Sequence, residues 1–421
     1  CTTTGCENTS VGSGSMAANT TGDFNTAVGR YALNANTTAD SNVAVGYCAL
    51  NANTTGYENI GIGRCALVKN TEGFQNTGLG SLSLLCNLTG DCNVAVGHTA
   101  LQNNTANNNT AVGNSSLRAN TTGACNVAMG IDSLKTNTTA SFNTAVGIRS
   151  MCLNTIGCQN TALGNDSLQA NTEGNLNTAV GSASMLGNTT GDNNVAVGKS
   201  ALRCNTTASV NTAVGFCSLF ANTTAESNNA FGADSLKTNT TGGCNQAFGK
   251  SALEGNTTGA CNIAMGHYSM ASNSTGIGNV ALGHNALDSN TTANDNIAIG
   301  RLSICANTTG YSNISIGSYS SDANTTGYEN VTVGVSSLGA NTTGNTNSAL
   351  GRDAFRNNTT DDRPNIQVTL YGDAVIVGRV GTNQGTLGAN KNIFVEVSIP
   401  GKCGFLDLGR PSAGSGNTNE G

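Results

Sequence analysis

The pentapeptide Asn42-Val43-Ala44-Val45-Gly46 returns, in closely related form, every 17 residues through most of this chain. The preceding copy is Asn25-Thr26-Ala27-Val28-Gly29, and about 21 copies lie between Asn8 and Gly351. A fixed period of this length is typical of a solenoid, in which each repeat forms one coil of backbone that packs on its neighbours. The sequence therefore predicts a repetitive, structural fold.

Each coil is numbered here from its central glycine, position 0, and the residues before this glycine read as a short β-strand. Position −1 is apolar, position −2 is small and position −3 is mostly β-branched, as in Val43-Ala44-Val45. Positions +3 and +4, as in Ala32-Leu33, predict a second short strand. The segment Asn53-Thr54-Thr55-Gly56 predicts a closing turn in which Asn and Gly adopt positive φ. A helix is excluded because glycine and asparagine recur in every coil.

The predicted strand is apolar or small on both faces, whereas a roll that stands alone has one interior face and one wet face. We therefore predict that one face fills the coil and that the other is an interface between chains. The sequence leaves open which face has which role. The expected partner is a further copy of the same chain.

Two asparagines are present in every coil, at positions −4 and +7. Because stacked coils lie about 4.8 Å apart, identical amides come into register and can form hydrogen-bonded ladders. We assign this structural role to both positions. Representative members are Asn25, Asn42 and Asn59 at position −4, and Asn36, Asn53 and Asn70 at position +7.

An alternative for position +7 is N-glycosylation, since Asn-Thr-Thr is an acceptor sequence. Some coils keep the asparagine but lose the acceptor sequence, as at Asn70-Thr71-Glu72 and Asn154-Thr155-Ile156, which favours the amide itself as the reason for the pattern. Glycans on individual coils stay open as an alternative. The candidate sites are Asn19, Asn36, Asn53, Asn137, Asn188, Asn239, Asn307 and Asn324.

The chain has 15 cysteines, and none occupies a ladder position. One interpretation is small side chains at outer or half-buried positions of a reduced protein. The other is disulfide staples between successive coils or across one turn. No pair has CxxC spacing, which argues against a zinc site. The candidate pairs are Cys48 with Cys65, Cys86 with Cys92, Cys152 with Cys158, and Cys244 with Cys261.

Composition argues against several classes of function. The 421 residues carry a net charge of −6 and no basic stripe along one face, so nucleic-acid binding is not expected. No apolar run has membrane-spanning length, so membrane insertion is not expected either. The three histidines, His98, His267 and His284, all lie at position +1, and no Ser-His-Asp or Cys-His set has support. We therefore expect no enzymatic activity, no cofactor and no metal site.

The repeats also predict the domain organisation, because the pattern stops near residue 360. The predicted segments are a lead-in over 1–7, a solenoid shaft over 8–360, a small C-terminal β cap or tip over 361–410, and a flexible tail over 411–421. Three strands are predicted within the cap, over 366–371, 374–377 and 392–397, with turns at 372–373 and 385–390. About 21 coils at 4.8 Å each would span on the order of 100 Å.

The coil that begins with Asn42-Val43-Ala44-Val45-Gly46 and ends with Asn-Thr-Thr-Gly resembles the repeat arrays of phage and viral tail-fibre proteins. It is also similar to the head repeats of trimeric autotransporter adhesins, whose coil is shorter and lacks Asn-Thr-Thr-Gly. The resemblance covers residues 8 to about 360. It implies a left-handed parallel β-roll, three chains around one axis, and attachment to a surface.

These observations favour a non-enzymatic fibre or spike. In this hypothesis a rigid homotrimeric rod, extracellular on a virion, phage fibre or cell-surface appendage, binds a receptor or glycan on a host cell, with the cap as its tip. The first alternative is a subunit of a self-assembling, glycosylated extracellular filament. The second is binding of ice or a crystal lattice through the hydroxyl array of Thr37-Thr38 and its equivalents.

Overall fold

The computed structural model describes residues 4–359 and the backbone of 366–368, 395–399 and 402–406. These residues form 24 strands and no helix, in two compact units that divide between residues 264 and 265. The strands are β1 Thr9–Val11, β2 Thr26–Val28, β3 Val43–Val45, β4 Ile60–Ile62, β5 Thr77–Leu79, β6 Val94–Val96, β7 Thr110–Val112, β8 Val127–Met129, β9 Thr144–Val146, β10 Thr161–Leu163, β11 Thr178–Val180, β12 Val195–Val197, β13 Thr212–Val214, β14 Asn229–Phe231, β15 Gln246–Phe248, β16 Ile263–Met265, β17 Val280–Leu282, β18 Ile297–Ile299, β19 Ile314–Ile316, β20 Val331–Val333, β21 Ser348–Leu350, β22 Ile366–Val368, β23 Val395–Ile399 and β24 Lys402–Leu406.

Within the first unit, strands β1 to β15 form a parallel sheet in which each strand pairs with the next one along the chain. The register joins equivalent positions, so Val43 of β3 lies opposite Ile60 of β4. Within the second unit, β17 to β22 pair in the same parallel manner. The predicted fold class, an all-β parallel solenoid with coils of about 17 residues, is confirmed.

The interior of each coil is filled mainly by positions −2, +3 and +4. In one coil these are Ala44, Ala49 and Leu50, and all three are fully buried. Val43 and Val45, at positions −3 and −1, point to the opposite face and are half-buried. Position −2 therefore faces inward and positions −1 and −3 face outward. Burial of each leucine stabilises the fold by about 1.5–3 kcal/mol, and this stabilisation is repeated in coil after coil.

The predicted second strand at positions +3 and +4 is wrong. These residues lie in a turn, and two residues of this turn adopt left-handed backbone, with φ of 58° at Tyr31 (position +2) and 50° at Leu33 (position +4). The inter-coil bonding persists nevertheless, because the Leu33 N–H donates to the Ala49 carbonyl of the next coil over 3.0 Å. These bonds and the burial of the leucine offset the cost of left-handed backbone, about 1–2 kcal/mol per residue.

The closing turn also differs from the prediction in its backbone. Positive φ does not fall on the Asn or Gly of Asn53-Thr54-Thr55-Gly56 but on position −5, with 55° at Glu58, and on the central glycine, with 132° at Gly46. The N–H groups of Thr54, Thr55 and Gly56 all donate to the Thr71 carbonyl of the next coil. The neighbouring coil, more than local φ preference, therefore holds the turn.

The regular backbone hydrogen bonding between coils extends past both ends of the predicted shaft, residues 8–360. The N–H groups of Thr4 and Gly5 donate to the Thr20 carbonyl, as equivalent groups do in later coils. Strand β22 pairs in parallel with β21, so the described part of the first predicted cap strand, over 366–368, adds to the solenoid sheet. Strands β23 and β24 form an antiparallel pair; the predicted strand over 392–397 overlaps β23, and β24 was not predicted. The predicted strand over 374–377, both predicted cap turns and the predicted tail lie outside the described residues.

Candidate functional site

A ladder of buried amides runs through position +7. Asn53 Nδ2 donates to Asn36 Oδ1 in the preceding coil over 3.1 Å, and Asn70 Nδ2 donates to Asn53 Oδ1 over 2.8 Å. Asn53 Nδ2 also donates to the carbonyl of Gly56 over 2.7 Å. An amide at this position therefore uses both N–H bonds and its oxygen inside the stack of coils.

The asparagines at position −4 form a second ladder with a different bonding pattern. Asn25 Oδ1 accepts the backbone N–H of Asn42 over 2.9 Å, and Asn42 Oδ1 accepts that of Asn59 over 3.0 Å. Asn42 Nδ2 donates to the Gly56 carbonyl over 2.9 Å. The side chain thus extends the inter-coil bonding of the strand by one residue.

The two ladders meet at the carbonyl of position +10. The Gly56 oxygen accepts from both Asn42 and Asn53, so it ties the start of the strand to the closing turn. Both asparagines are fully buried. A buried polar group without a partner costs about 1–3 kcal/mol, which explains the invariance of these positions. Aspartate lacks the donors and glutamine is one methylene longer.

This shared carbonyl is the part of the arrangement that sequence reasoning missed. A Cβ added at Gly56 would lie 2.6 Å from Asn53 Oδ1 and 2.8 Å from Asn70 Nδ2, so the space for a side chain is narrow. Position +10 is Gly or Ala in all but two coils, where it is Asn107 and Asp361. In the first of these coils, which is one residue shorter, the Ala106 carbonyl has the same role. Ala39 is one of the alanines, and its carbonyl accepts from Asn25 and Asn36. The restriction to small residues, three positions after the ladder asparagine, is the signal that could have located it.

The candidate glycosylation sites lie inside these ladders and not at the surface. Each is at most 1% exposed, and Nδ2, the atom to which a glycan is joined, already donates two hydrogen bonds in a coil such as that of Asn53. The folded coils have no room for a sugar at this atom, which corrects the glycosylation alternative. The residues concerned are Asn19, Asn36, Asn53, Asn137, Asn188, Asn239, Asn307 and Asn324.

We expect folded protein from a glycosylating host to carry no N-linked glycan at position +7. The intact mass of the folded fraction, measured before and after peptide N-glycosidase, should be the same. A mass loss that maps to Asn53 or Asn137 in protein with protected backbone amides would contradict this burial.

The cysteines proposed for disulfide staples are free thiols in the structure. Residues at one position of successive coils point in the same direction, which disfavours the geometry that a disulfide needs. Burial raises the pKa of the Cys65 thiol and that of the Cys305 thiol, so both stay protonated near neutral pH. The free thiols include Cys48, Cys65, Cys86, Cys92, Cys152, Cys158, Cys244 and Cys261.

The outward side chains of positions −1 and −3 form a surface that we call the strand face. Position −1 is apolar in every coil, and no charged residue occurs at either position. Ile62 is 40% exposed and Met129 is 42% exposed, while Phe231 and Phe248 of successive coils stack with ring centroids 5.0 Å apart. Contiguous exposed apolar surface of this kind is typical of an interaction site.

The remaining features considered in the sequence are the histidines, the threonine hydroxyl array and membrane-spanning segments. His267 and His284 stack with ring centroids 5.5 Å apart, but the described residues contain no group of three His, Cys, Asp or Glu that could hold a metal ion. In the proposed hydroxyl array, Thr37 is half-buried and its Oγ1 donates to the Thr54 carbonyl, whereas Thr38 is exposed. In the part of the chain that the structure describes, no helix is long and apolar enough to cross a membrane.

Known proteins supply no functional interpretation for this chain. No protein-family model matches this chain, and no curated protein matches it. The features available for a functional interpretation are therefore the buried ladders, the strand face and the positions at which one coil differs from the next.

Proposed function

We propose that this chain is a structural, fibre-like protein whose coils associate laterally with two further copies of the same chain. The observation that carries the proposal is the strand face, where an apolar side chain at position −1 recurs without interruption and is half-exposed. Burying such surface stabilises an assembly by about 25 cal/mol per Å². The number of three chains is taken from the resemblance of the repeats to trimeric fibre and adhesin repeats.

A partner for the strand face must repeat its contacts at the spacing of the coils. A further copy of this chain has the same spacing and the same apolar positions, so each coil can meet an equivalent coil. The buried ladders support such a role because they join successive coils by recurring bonds of the same kind, such as those of Asn53 and Asn70. Repetition of one stable coil produces a uniform, extended surface, whereas a reactive centre needs a set of residues that occurs once.

In this proposal the assembly is an extracellular shaft, on a virion, phage fibre or cell-surface appendage, and it carries a surface for attachment to a host cell. The uniform coils act as the spacer. Specific recognition falls to positions that are not repeated, since an identical surface on every coil cannot distinguish one place on the shaft from another.

Placing charge on the strand face should weaken association. We expect the double variant Leu163→Glu with Val197→Glu to lower the association constant at least tenfold, because each buried, unpaired carboxylate costs several kcal/mol. Both residues are exposed in the single chain, 38% and 36% respectively, so the coils themselves should still fold. Sedimentation velocity measures the association.

The matched control carries the same two charges at the same spacing on another surface. Thr207→Glu with Thr241→Glu alters exposed residues at position +9, where the chain itself has Glu72 and Glu173. The control should associate like the unmodified chain. Equal association of both double variants would remove the strand face as the interface.

A further inference from the structure

The second unit has a polar notch in its outer surface with a volume of about 430 Å³. It lies across three successive coils, on positions +2, +5 and +6, and so away from the strand face. Seven residues line it: Tyr319, Asp322, Ser336, Gly339, Ala340, Arg356 and Asn357.

The notch forms because one coil has glycine, and so no side chain, at position +5. Gly339 is the only glycine at this position in any coil, and it lies between Asp322 of the preceding coil and Arg356 of the following one. A Cβ added to Gly339 would lie 3.4 Å from Asp322 Oδ1 and 3.9 Å from Arg356 Cγ, both ordinary van der Waals distances. The backbone of Gly339 is also free of positive φ. Neither space nor backbone geometry therefore requires glycine at this position.

The groups around the gap are of both charges and include an aromatic ring. Asp322 is half-buried; burial raises the pKa of its carboxyl, while backbone N–H groups and, more weakly, Arg356 lower it. Arg356 is exposed and pairs with Asp353 at 3.3 Å, which leaves Asp322 without a partner cation within ion-pair distance among the described residues. Tyr319 is 36% exposed, and the Arg301 guanidinium lies 5.5 Å from its ring centroid.

We propose that this notch binds a monosaccharide unit of a surface glycan. A sugar presents several hydroxyl groups that both donate and accept, together with an apolar ring face. Asp322 would accept from hydroxyls, Arg356 and Asn357 would donate to them, and Tyr319 would contact the apolar face. A small anion or cation fits less well because the opposite charges of Asp322 and Arg356 stand on either side of the same gap.

This inference rests on the proposed attachment function for its biological meaning, and it names the class of group attached. It also follows the requirement that recognition use a position that the repeat does not reproduce. Gly339 meets that requirement, since every other coil has a side chain at position +5.

The test fills the notch without disturbing the fold. The chain already carries Leu85 and Leu186 at position +5, so Gly339→Leu should fold and close the gap between Asp322 and Arg356. Ala271→Leu is the matched control, because it adds leucine at the same position elsewhere in the second unit. Binding of galactose, glucose, mannose and N-acetylglucosamine to the full chain would be measured by saturation-transfer NMR and titration calorimetry.

We expect at least one of these sugars to bind the unmodified chain and the Ala271→Leu variant alike, and to bind Gly339→Leu at least tenfold more weakly. Absence of binding to the unmodified chain, or equal binding to all three proteins, would overturn the assignment. Sedimentation velocity on the same samples separates this result from the fibre proposal. Intact association without sugar binding removes only the notch, whereas sugar binding by a lone chain removes only the lateral assembly.

Discussion

Replacing Asn171 by leucine should destabilise the coils of the first unit by roughly 3–5 kcal/mol, although the two side chains have nearly the same shape. Asn171 is fully buried; its Nδ2 donates to Asn154 Oδ1 over 2.8 Å and its Oδ1 accepts from Asn188 Nδ2 over 2.9 Å. Leucine leaves that oxygen of Asn154 and one N–H of Asn188 buried without these partners. The Gly174 carbonyl suffers less because Asn160 still donates to it.

The loss should be local as well as large, since each coil contacts only its neighbours. Backbone hydrogen exchange across the coils that contain residues 154–188, together with the thermal midpoint, measures it. Gln169→Leu is the matched control: it also exchanges an amide for leucine in the same coil, but at half-exposed position +5, where the next coil has Leu186. A similar loss in both variants would show that the ladder amide has no special role.

Replacing Gly198 by alanine should cost about 3–5 kcal/mol through two effects that add. The φ of Gly198 is 134°, a region that other residues rarely adopt, and such strain costs about 1–3 kcal/mol. The added Cβ would also lie 2.5 Å from the Gly215 carbonyl oxygen and 2.7 Å from its carbon, both backbone atoms of the next coil. Forced overpacking of this kind adds about 1–3 kcal/mol.

The comparison that isolates this effect is Gly61→Ala. Gly61 occupies position −2, where the preceding coil has Ala44 and the following coil has Gly78, and its φ is not positive. We expect a change of at most about 1 kcal/mol, because the gain of about 0.4–1 kcal/mol from the restricted unfolded chain is opposed by the close approach of the added Cβ to Leu50 Cγ, at 3.2 Å. Thermal unfolding of both variants gives the comparison. Equal midpoints would contradict the assignment of the central glycine as a conformational and steric requirement.

Much of the fold could be predicted because one short pattern is repeated with little change. The triplet Val43-Ala44-Val45 carries β-branched residues and ends at a glycine, and identical positions of successive coils can only stack in parallel register. The buried amides follow from the same logic. An asparagine that is kept at Asn70 and Asn171, where the acceptor sequence is lost, is retained for its hydrogen bonds.

The left-handed residues could not be predicted because their identities carry no signal. Positive φ at position +2 falls on residues as different as Tyr31, Cys48 and Asp132. At position +4 it falls mainly on leucine, whose burial in the interior outweighs its backbone preference. The Asn and Gly of the closing turn, which suggested positive φ there, do not adopt it, because the next coil holds this turn through the Thr71 carbonyl. Position-specific tertiary bonds therefore override local propensity.

The two candidate binding surfaces also differ in how far the sequence predicts them. The strand face is visible in the sequence as a two-sided apolar strand, but only the burial of Ala44 against the exposure of Ile62 decides which side is the surface. The notch at Gly339 has no motif. Its only sequence signal is one glycine in a column of larger residues, and its charged walls come from coils 17 residues away on either side.

The solution mass of the chain, measured by light scattering over a concentration series, tests the central proposal most directly. Lateral association through the strand face predicts a fixed mass of three chains that does not change as the concentration rises. Growth of the mass without limit would instead indicate a filament subunit. A stable monomer at every concentration would contradict the proposal, because the strand face would then be a solvent-exposed surface with no partner.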